Sequence, residues 1–342
     1  MVTESSSRLR PLSFGDILDT VFRLYRNNFL TMIGIVAILQ IPIVLLQVAS
    51  TFFFGAGVVT DIYNLLDSLP AFDPTSQSFA ELPIANITSF LGIAAIIGLV
   101  EAIVLQPIIS GAVVRAVSDR YHQRTISLGK AYDYKVTKML SLIASRFLIA
   151  ILVIMALVVA SLIFFLISFF FGMIASVGGD SVIGLMTGLV GMLGILGSIL
   201  FAAALVFIVW ASFLFVDQAI VLEDNGPIDG IVRSWRLFKG SMWRVVGIML
   251  VTWLLLQVLT FIPGLLMSFV TTMMFGDSIE LFSLKQNIDT IVTYTTQILV
   301  LPFLLGVYTV LYYDLRVRKE GYDLEMAIAE PYESPVYPYE TN

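Results

Sequence analysis

Residues 229–247 read DGIVRSWRLFKGSMWRVVG, where Ile231, Val232, Trp235 and Phe238, with Ile228 just before, recur at helical spacing while Arg233 and Arg236 fall off that stripe. Pro227 suits the first position of such a helix, and the stretch runs straight into a long hydrophobic segment. This combination predicts a short amphipathic helix lying in a membrane interface, basic side towards anionic headgroups, followed at once by a membrane span. The same stretch occurs 213 residues earlier, where Asp16–Gly34 reads DILDTVFRLYRNNFLTMIG. Asp16, Phe22, Arg23, Leu24, Tyr25, Arg26 and Gly34 then fall on Asp229, Trp235, Arg236, Leu237, Phe238, Lys239 and Gly247. A fainter copy begins at Ser127, with Leu128, Ala131, Tyr132, Val136 and Met139 as its apolar side. Self-similarity of this kind predicts one membrane domain, residues 1–321, made of three repeats, 13–123, 127–224 and 226–321. Each is an interfacial helix followed by a hairpin of two spans, the three related by rotation about the membrane normal. The fold class is therefore all-α, a polytopic membrane protein with six transmembrane helices.

Composition agrees. Of 342 residues 58% are hydrophobic and 13% charged, against the roughly 25% charged of a soluble domain. The net charge of −6 argues against nucleic acid, which needs a concentrated basic surface. The chain has no cysteine, which excludes disulfides and thiolate metal sites. No cleavable signal pattern precedes the first hydrophobic segment, so that segment is expected to insert and stay.

Six stretches suit spans: 29–57 with a kink at Pro42, 89–114, 140–177, 182–216, 243–275 broken near Pro263, and 290–312. Residues 58–88 are expected to form an acidic loop, and 322–342 an acidic, Tyr- and Pro-rich tail too polar to fold alone. Gly184, Gly188, Gly191, Gly194 and Gly197 recur at three or four residues, a spacing that lets helices approach closely. Eighteen of the nineteen Lys and Arg residues lie on one side of this topology, Lys285 being the exception. By the positive-inside rule both termini and the amphipathic helices are cytoplasmic, in a bacterial plasma membrane.

Candidate functional groups are few. Glu101 is the one acid deep in a span, and a lipid-facing carboxylate there would be costly, so it should turn inward, be held neutral and donate a hydrogen bond to Gln40 or Gln257. Gln297 is a further intramembrane polar residue. Arg23, Arg26, Arg233, Arg236 and Lys239 are the candidate headgroup ligands, with anionic cytoplasmic lipid as the expected partner. The second helices of the first and third repeats share P-x3-G-x7-D, since Pro107, Gly111 and Asp119 fall 195 residues before Pro302, Gly306 and Asp314. Asp217 ends the fourth span in the same way. These three exit acids either gather around a common axis as a metal or proton site or pair with nearby arginines; the second is favoured because exposed ion pairs are common. His122 is the only histidine, without a carboxylate beside it, and no hydrolase, zinc or nucleotide motif is present. No catalytic residue, metal or cofactor is expected.

At SFGDILDTVFRLYRNNF (13–29), IDGIVRSWRLFKGSMWR (228–244) and LYYDLRVRKEGYDLEM (311–326) the sequence resembles the membrane domain found in some bacterial glycerophosphoryl diester phosphodiesterases and, more loosely, YciC-type membrane proteins. The resemblance implies a multi-pass membrane domain without a defined biochemical role. Phosphodiesterase chemistry in that family belongs to a separate barrel domain with paired His and Glu residues, which have no counterpart here. Three readings stay open: a non-enzymatic scaffold binding lipid or a membrane-protein partner, a transporter or channel with a polar path around Glu101, and a membrane enzyme. The first is favoured because no catalytic constellation is present and repeats entering from one side are not the inverted repeats of many transporters.

Overall fold

The computed structural model describes residues 11–68, 84–178, 182–276 and 279–329, and among them there is no strand. The helices are α1 (Phe14–Asn27), α2 (Phe29–Ser68), α3 (Ala85–Val100), which a π-turn (Glu101–Leu105) joins to α4 (Gln106–Tyr121), then α5 (Leu128–Tyr132) and α6 (Val136–Gly178). They continue as α7 (Val182–Ser212), α8 (Val216–Glu223), α9 (Pro227–Phe238), α10 (Met242–Phe275), α11 (Ile279–Glu320) and α12 (Tyr322–Ala329). Six stretches, Phe29–Gly55, Ala85–Tyr121, Val136–Ile174, Gly188–Glu223, Met242–Phe275 and Ser283–Glu320, are long and apolar enough to cross a membrane, the build of a multi-pass membrane protein.

Burial is concentrated at one end of this bundle. Ile109 and Ala112–Val114 of α4, Val216–Val221 at α8, and Val307, Val310–Tyr313 and Leu315 of α11 are buried. α4 packs on α8 and on α11, and Phe215 meets Tyr312 with ring centroids 6.0 Å apart. Around this core the contacts run in sequence: α4 against α6, α8 against α9, and α11 against α1. Glycine makes each approach close. A Cβ on Gly111 would come within 2.7 Å of Leu142, on Gly230 within 2.8 Å of Ile220, and on Gly306 within 2.8 Å of Val21. Away from the core, α3 buries no residue and α6 and α7 pack chiefly on each other, where Gly191 and Gly194 lie under Phe171. Phe165, Phe169, Leu193 and Phe201 face outwards, an apolar surface that suits hydrocarbon rather than water.

Several expectations change. α2 runs on to Ser68, so the first part of the expected 58–88 loop is helical; residues 69–83 lie outside the described residues. Asp61 on that extension accepts from the Asn86 and Ile87 backbone amides and the Asn86 side chain, capping α3, and these bonds, the side-chain one first, hold its carboxyl below the usual range. The second amphipathic helix is a single turn, because the chain breaks at Asp133–Lys135 and Val136 already belongs to α6. Pro42 and Pro263 sit inside unbroken helices, as happens where neighbouring groups satisfy the freed carbonyls. Pro107 instead follows a π-turn, closed by Gln106 N–H donating to the Glu101 carbonyl, which absorbs the missing proline donor. Past the left-handed Gly321, Tyr322–Ala329 of the expected tail is helical, its Tyr322 ring under the Arg316 guanidinium at 4.0 Å; residues 330–342 lie outside the described residues.

Candidate functional site

The deepest polar group sits where α3 gives way to the π-turn. Gln40 Nε2 of α2 donates to Glu101 Oε1 at 2.7 Å, and Tyr294 Oη of α11 donates to Oε2 at 2.9 Å. Gln40 is 1% exposed, and Glu101 and Tyr294 are partly buried. The carboxyl thus turns inward and meets Gln40, but both its oxygens accept, the reverse of the expected donor role. Gln257 and Gln297 do not take part: both are exposed, Gln257 on a face of α10 where Leu254, Leu255 and Val258 are exposed with it. A helical period places a glutamine on a face but says nothing of which neighbour that face meets. Tyr294 was missed because it stands among threonines in a segment whose depth hydropathy blurs.

The exit acids do not gather into one site; Asp314 and Asp217 are each locked by arginine, and Asp119 is not. The Asp314 carboxyl is 0% exposed and accepts from Leu12 N–H at 2.8 Å, Arg244 Nε at 3.0 Å and Arg318 Nε at 3.0 Å. The same two arginines donate to the Leu12 carbonyl at 2.7 and 2.8 Å, so the cluster pins the chain just ahead of α1 to α10 and α11. Asp217 accepts from Arg146 and from Ser110, leaving its Oδ1 and Arg146 Nε buried without a hydrogen-bond partner. Asp119 is partly exposed and pairs loosely with Arg124 at 3.7 Å. Arg146 and Arg244 stand 71 and 70 residues ahead of their acids. That matched spacing was a legible signal, and the first unit lacks it, since Thr31 occupies the place of Arg244.

Of the expected headgroup ligands, Arg23, Arg26, Arg236 and Lys239 are exposed. Arg233 is not available. It is clamped by Glu223 at 2.7 Å and by Glu320, and these hydrogen bonds, Glu320's first, raise its already high pKa. The apolar residues of α9 also divide unexpectedly. Gly230, Ser234, Leu237 and Phe238 are buried against the protein, with Ser234 Oγ accepting from Phe215 N–H and donating to the Ser212 carbonyl, while Ile228, Val232 and Trp235 face outwards. On α1 the buried residues are Ile17, Val21 and Leu24, and Tyr25 donates to the Leu299 carbonyl at 2.7 Å. A cavity of about 810 Å³ opens beside α1 and the end of α4, lined among others by Asp19, Phe22, Arg23, Arg26, Arg120 and Tyr121. Arg120, in the last turn of α4, was not singled out from the sequence, because one arginine in a stretch rich in them carries no distinguishing pattern.

Fold and site together define an all-helical, multi-pass membrane protein with ion-paired helix ends and a hydrogen-bonded tie between its spans. The chain belongs to the family described as a domain of unknown function, DUF7847, which matches residues 24–315. That description carries no activity and no link to phosphodiesterase membrane domains. No curated protein and no solved structure matches the chain.

Proposed function

We propose that this protein is a non-enzymatic scaffold of the cell membrane, with both termini cytoplasmic, whose basic helices gather anionic lipid and present it, or the surface it covers, to a membrane-protein partner. The observation that carries the reading is the outward stripe of Ile228, Val232 and Trp235, continued by Trp243 at 82% exposure, beside the exposed Arg236 and Lys239. Apolar and aromatic residues next to free cations are what a helix at a headgroup boundary requires. A build from three units about one axis is supported by the ring of contacts α4 to α6, α8 to α9 and α11 to α1, and by the Arg–Asp locks of the second and third units, whose separations of 71 and 70 residues differ by one.

A transport path around Glu101 is less well supported. The carboxyl is engaged on both oxygens by Gln40 and Tyr294, and Gln257 and Gln297 turn away from it. The cluster reads better as a tie between α2, the π-turn and α11.

Lipid preference tests the scaffold reading. In bilayers of mixed phosphatidylglycerol and phosphatidylcholine the protein is expected to enrich phosphatidylglycerol in its boundary layer. Gln at Arg23, Arg26, Arg236 and Lys239 together removes four contacts worth about 1 kcal/mol each near a charged surface, and the enrichment should largely disappear. Equal enrichment in the variant would sink the reading.

A further inference from the structure

We propose that the cavity between α1 and the end of α4 is a binding site for a single phosphate ester, carried by a lipid headgroup or by a soluble molecule, with Arg23, Arg26 and Arg120 as its ligands; the proposal deepens, and rests on, the lipid-gathering reading above. Arg23 and Arg26 are three apart on α1, hence neighbours on one side of the helix, and Arg120 reaches the same cavity from the last turn of α4. All three are exposed, and none has an ion pair or hydrogen-bond acceptor among the described residues.

That is unusual in this chain. Arg115 donates to the Asp133 carbonyl, Arg124 pairs with Asp119, Arg146 with Asp217, Arg233 with Glu223, Arg244 and Arg318 with Asp314, and Arg316 with Glu320. Only Arg236 besides these three is left without an acceptor among the described residues, and it does not line the cavity. Three guanidiniums lining one space leave it net positive even beside the two carboxylates there, and their planar forks match phosphate oxygens in pairs.

The remaining lining narrows the ligand. Asp16 and Asp19 also line it, Asp16 engaged in a capping box with Ser13 and Asp19 one turn ahead of Arg23. Three cations and two carboxylates match one phosphate and oppose a polyphosphate. About 810 Å³ suits a headgroup-sized ligand. Phe22 lines the cavity, and Phe29 and Leu30, the latter 82% exposed, follow Arg26 at the start of the first span, an apolar track that an acyl chain would use.

The test uses the full chain in detergent at low ionic strength, titrated calorimetrically with dihexanoyl phosphatidylglycerol, glycerol 3-phosphate and inorganic phosphate. Phosphatidylglycerol or glycerol 3-phosphate should bind, and R23Q/R26Q/R120Q should weaken that binding at least about tenfold, as loss of charge-assisted bonds implies. K135Q, which removes an exposed cation away from the cavity, should leave it unchanged, and R120K should fall between, because it keeps the charge but not the fork. A lipid source predicts at least about tenfold tighter binding of the phosphatidylglycerol than of glycerol 3-phosphate, a soluble source similar affinities. Unchanged tryptophan fluorescence and helicity establish that the variants are folded. Binding by R23Q/R26Q/R120Q as tight as by the native chain would overturn the site, as would binding of none of the three probes. If R236Q/K239Q then still loses boundary phosphatidylglycerol, the lipid-gathering reading survives without the cavity; if it does not, both fail.

Discussion

Asp314→Asn is expected to destabilise the protein by about 3–5 kcal/mol, the cost of removing one partner from a buried ionic cluster. The carboxyl is wholly enclosed, and Arg244, Arg318 and the Leu12 amide all donate to it. An amide offers one acceptor oxygen in place of two and cancels no charge, so two guanidiniums would be left facing each other. Release of Leu12 should follow, and with it loosening of α1, whose Ile17 and Val21 belong to the same apolar core as Leu12. Asp119→Asn is the internal control: its pair with Arg124 is long and on the surface, worth about 0–1 kcal/mol. Thermal unfolding followed by tryptophan fluorescence should show a large loss for the first variant and almost none for the second. Equal midpoints would mean that the exit acids do not lock the helix ends.

Glu101→Ala is expected to cost about 1–3 kcal/mol, because it leaves the buried Gln40 amide and the Tyr294 hydroxyl without their acceptor. Glu101→Gln should cost far less, since a carboxamide fills the same space and both neighbours can turn to suit it. If the cluster is a tie, stability recovers in the Gln variant and nothing else changes. A proton- or cation-coupled flux in proteoliposomes, present in the native chain and abolished by Glu101→Gln at unchanged stability, would overturn the tie and favour transport.

The spans were legible because roughly twenty apolar residues in a row have few other homes. Glu101 turning inward to Gln40 was legible for the same energetic reason. What hydropathy does not resolve is which side of an amphipathic helix meets protein. In water the apolar stripe faces the core, but in a membrane lipid accepts it equally well. Hence α9 buries Gly230 and Ser234, small enough for close packing on α8, and turns Ile228, Val232 and Trp235 outwards. Arg233 was misread for a related reason. Glu223 and Glu320 lie 10 and 87 residues away, and a single helix's period carries no record of them. The cavity was illegible because Arg120 joins Arg23 and Arg26 only through the docking of α1 against α4.

Cytoplasmic placement of the arginine-bearing ends is tested most directly by cysteine accessibility in intact cells, and the chain has no native cysteine to interfere. Asp67, near the end of α2, and Thr125, between α4 and α5, are both exposed, so single cysteines there should be tolerated. The expected result is that Asp67→Cys reacts with an impermeant maleimide from outside, whereas Thr125→Cys reacts only after the membrane is opened. Labelling of both from the same side, or of Thr125→Cys alone in intact cells, would contradict it.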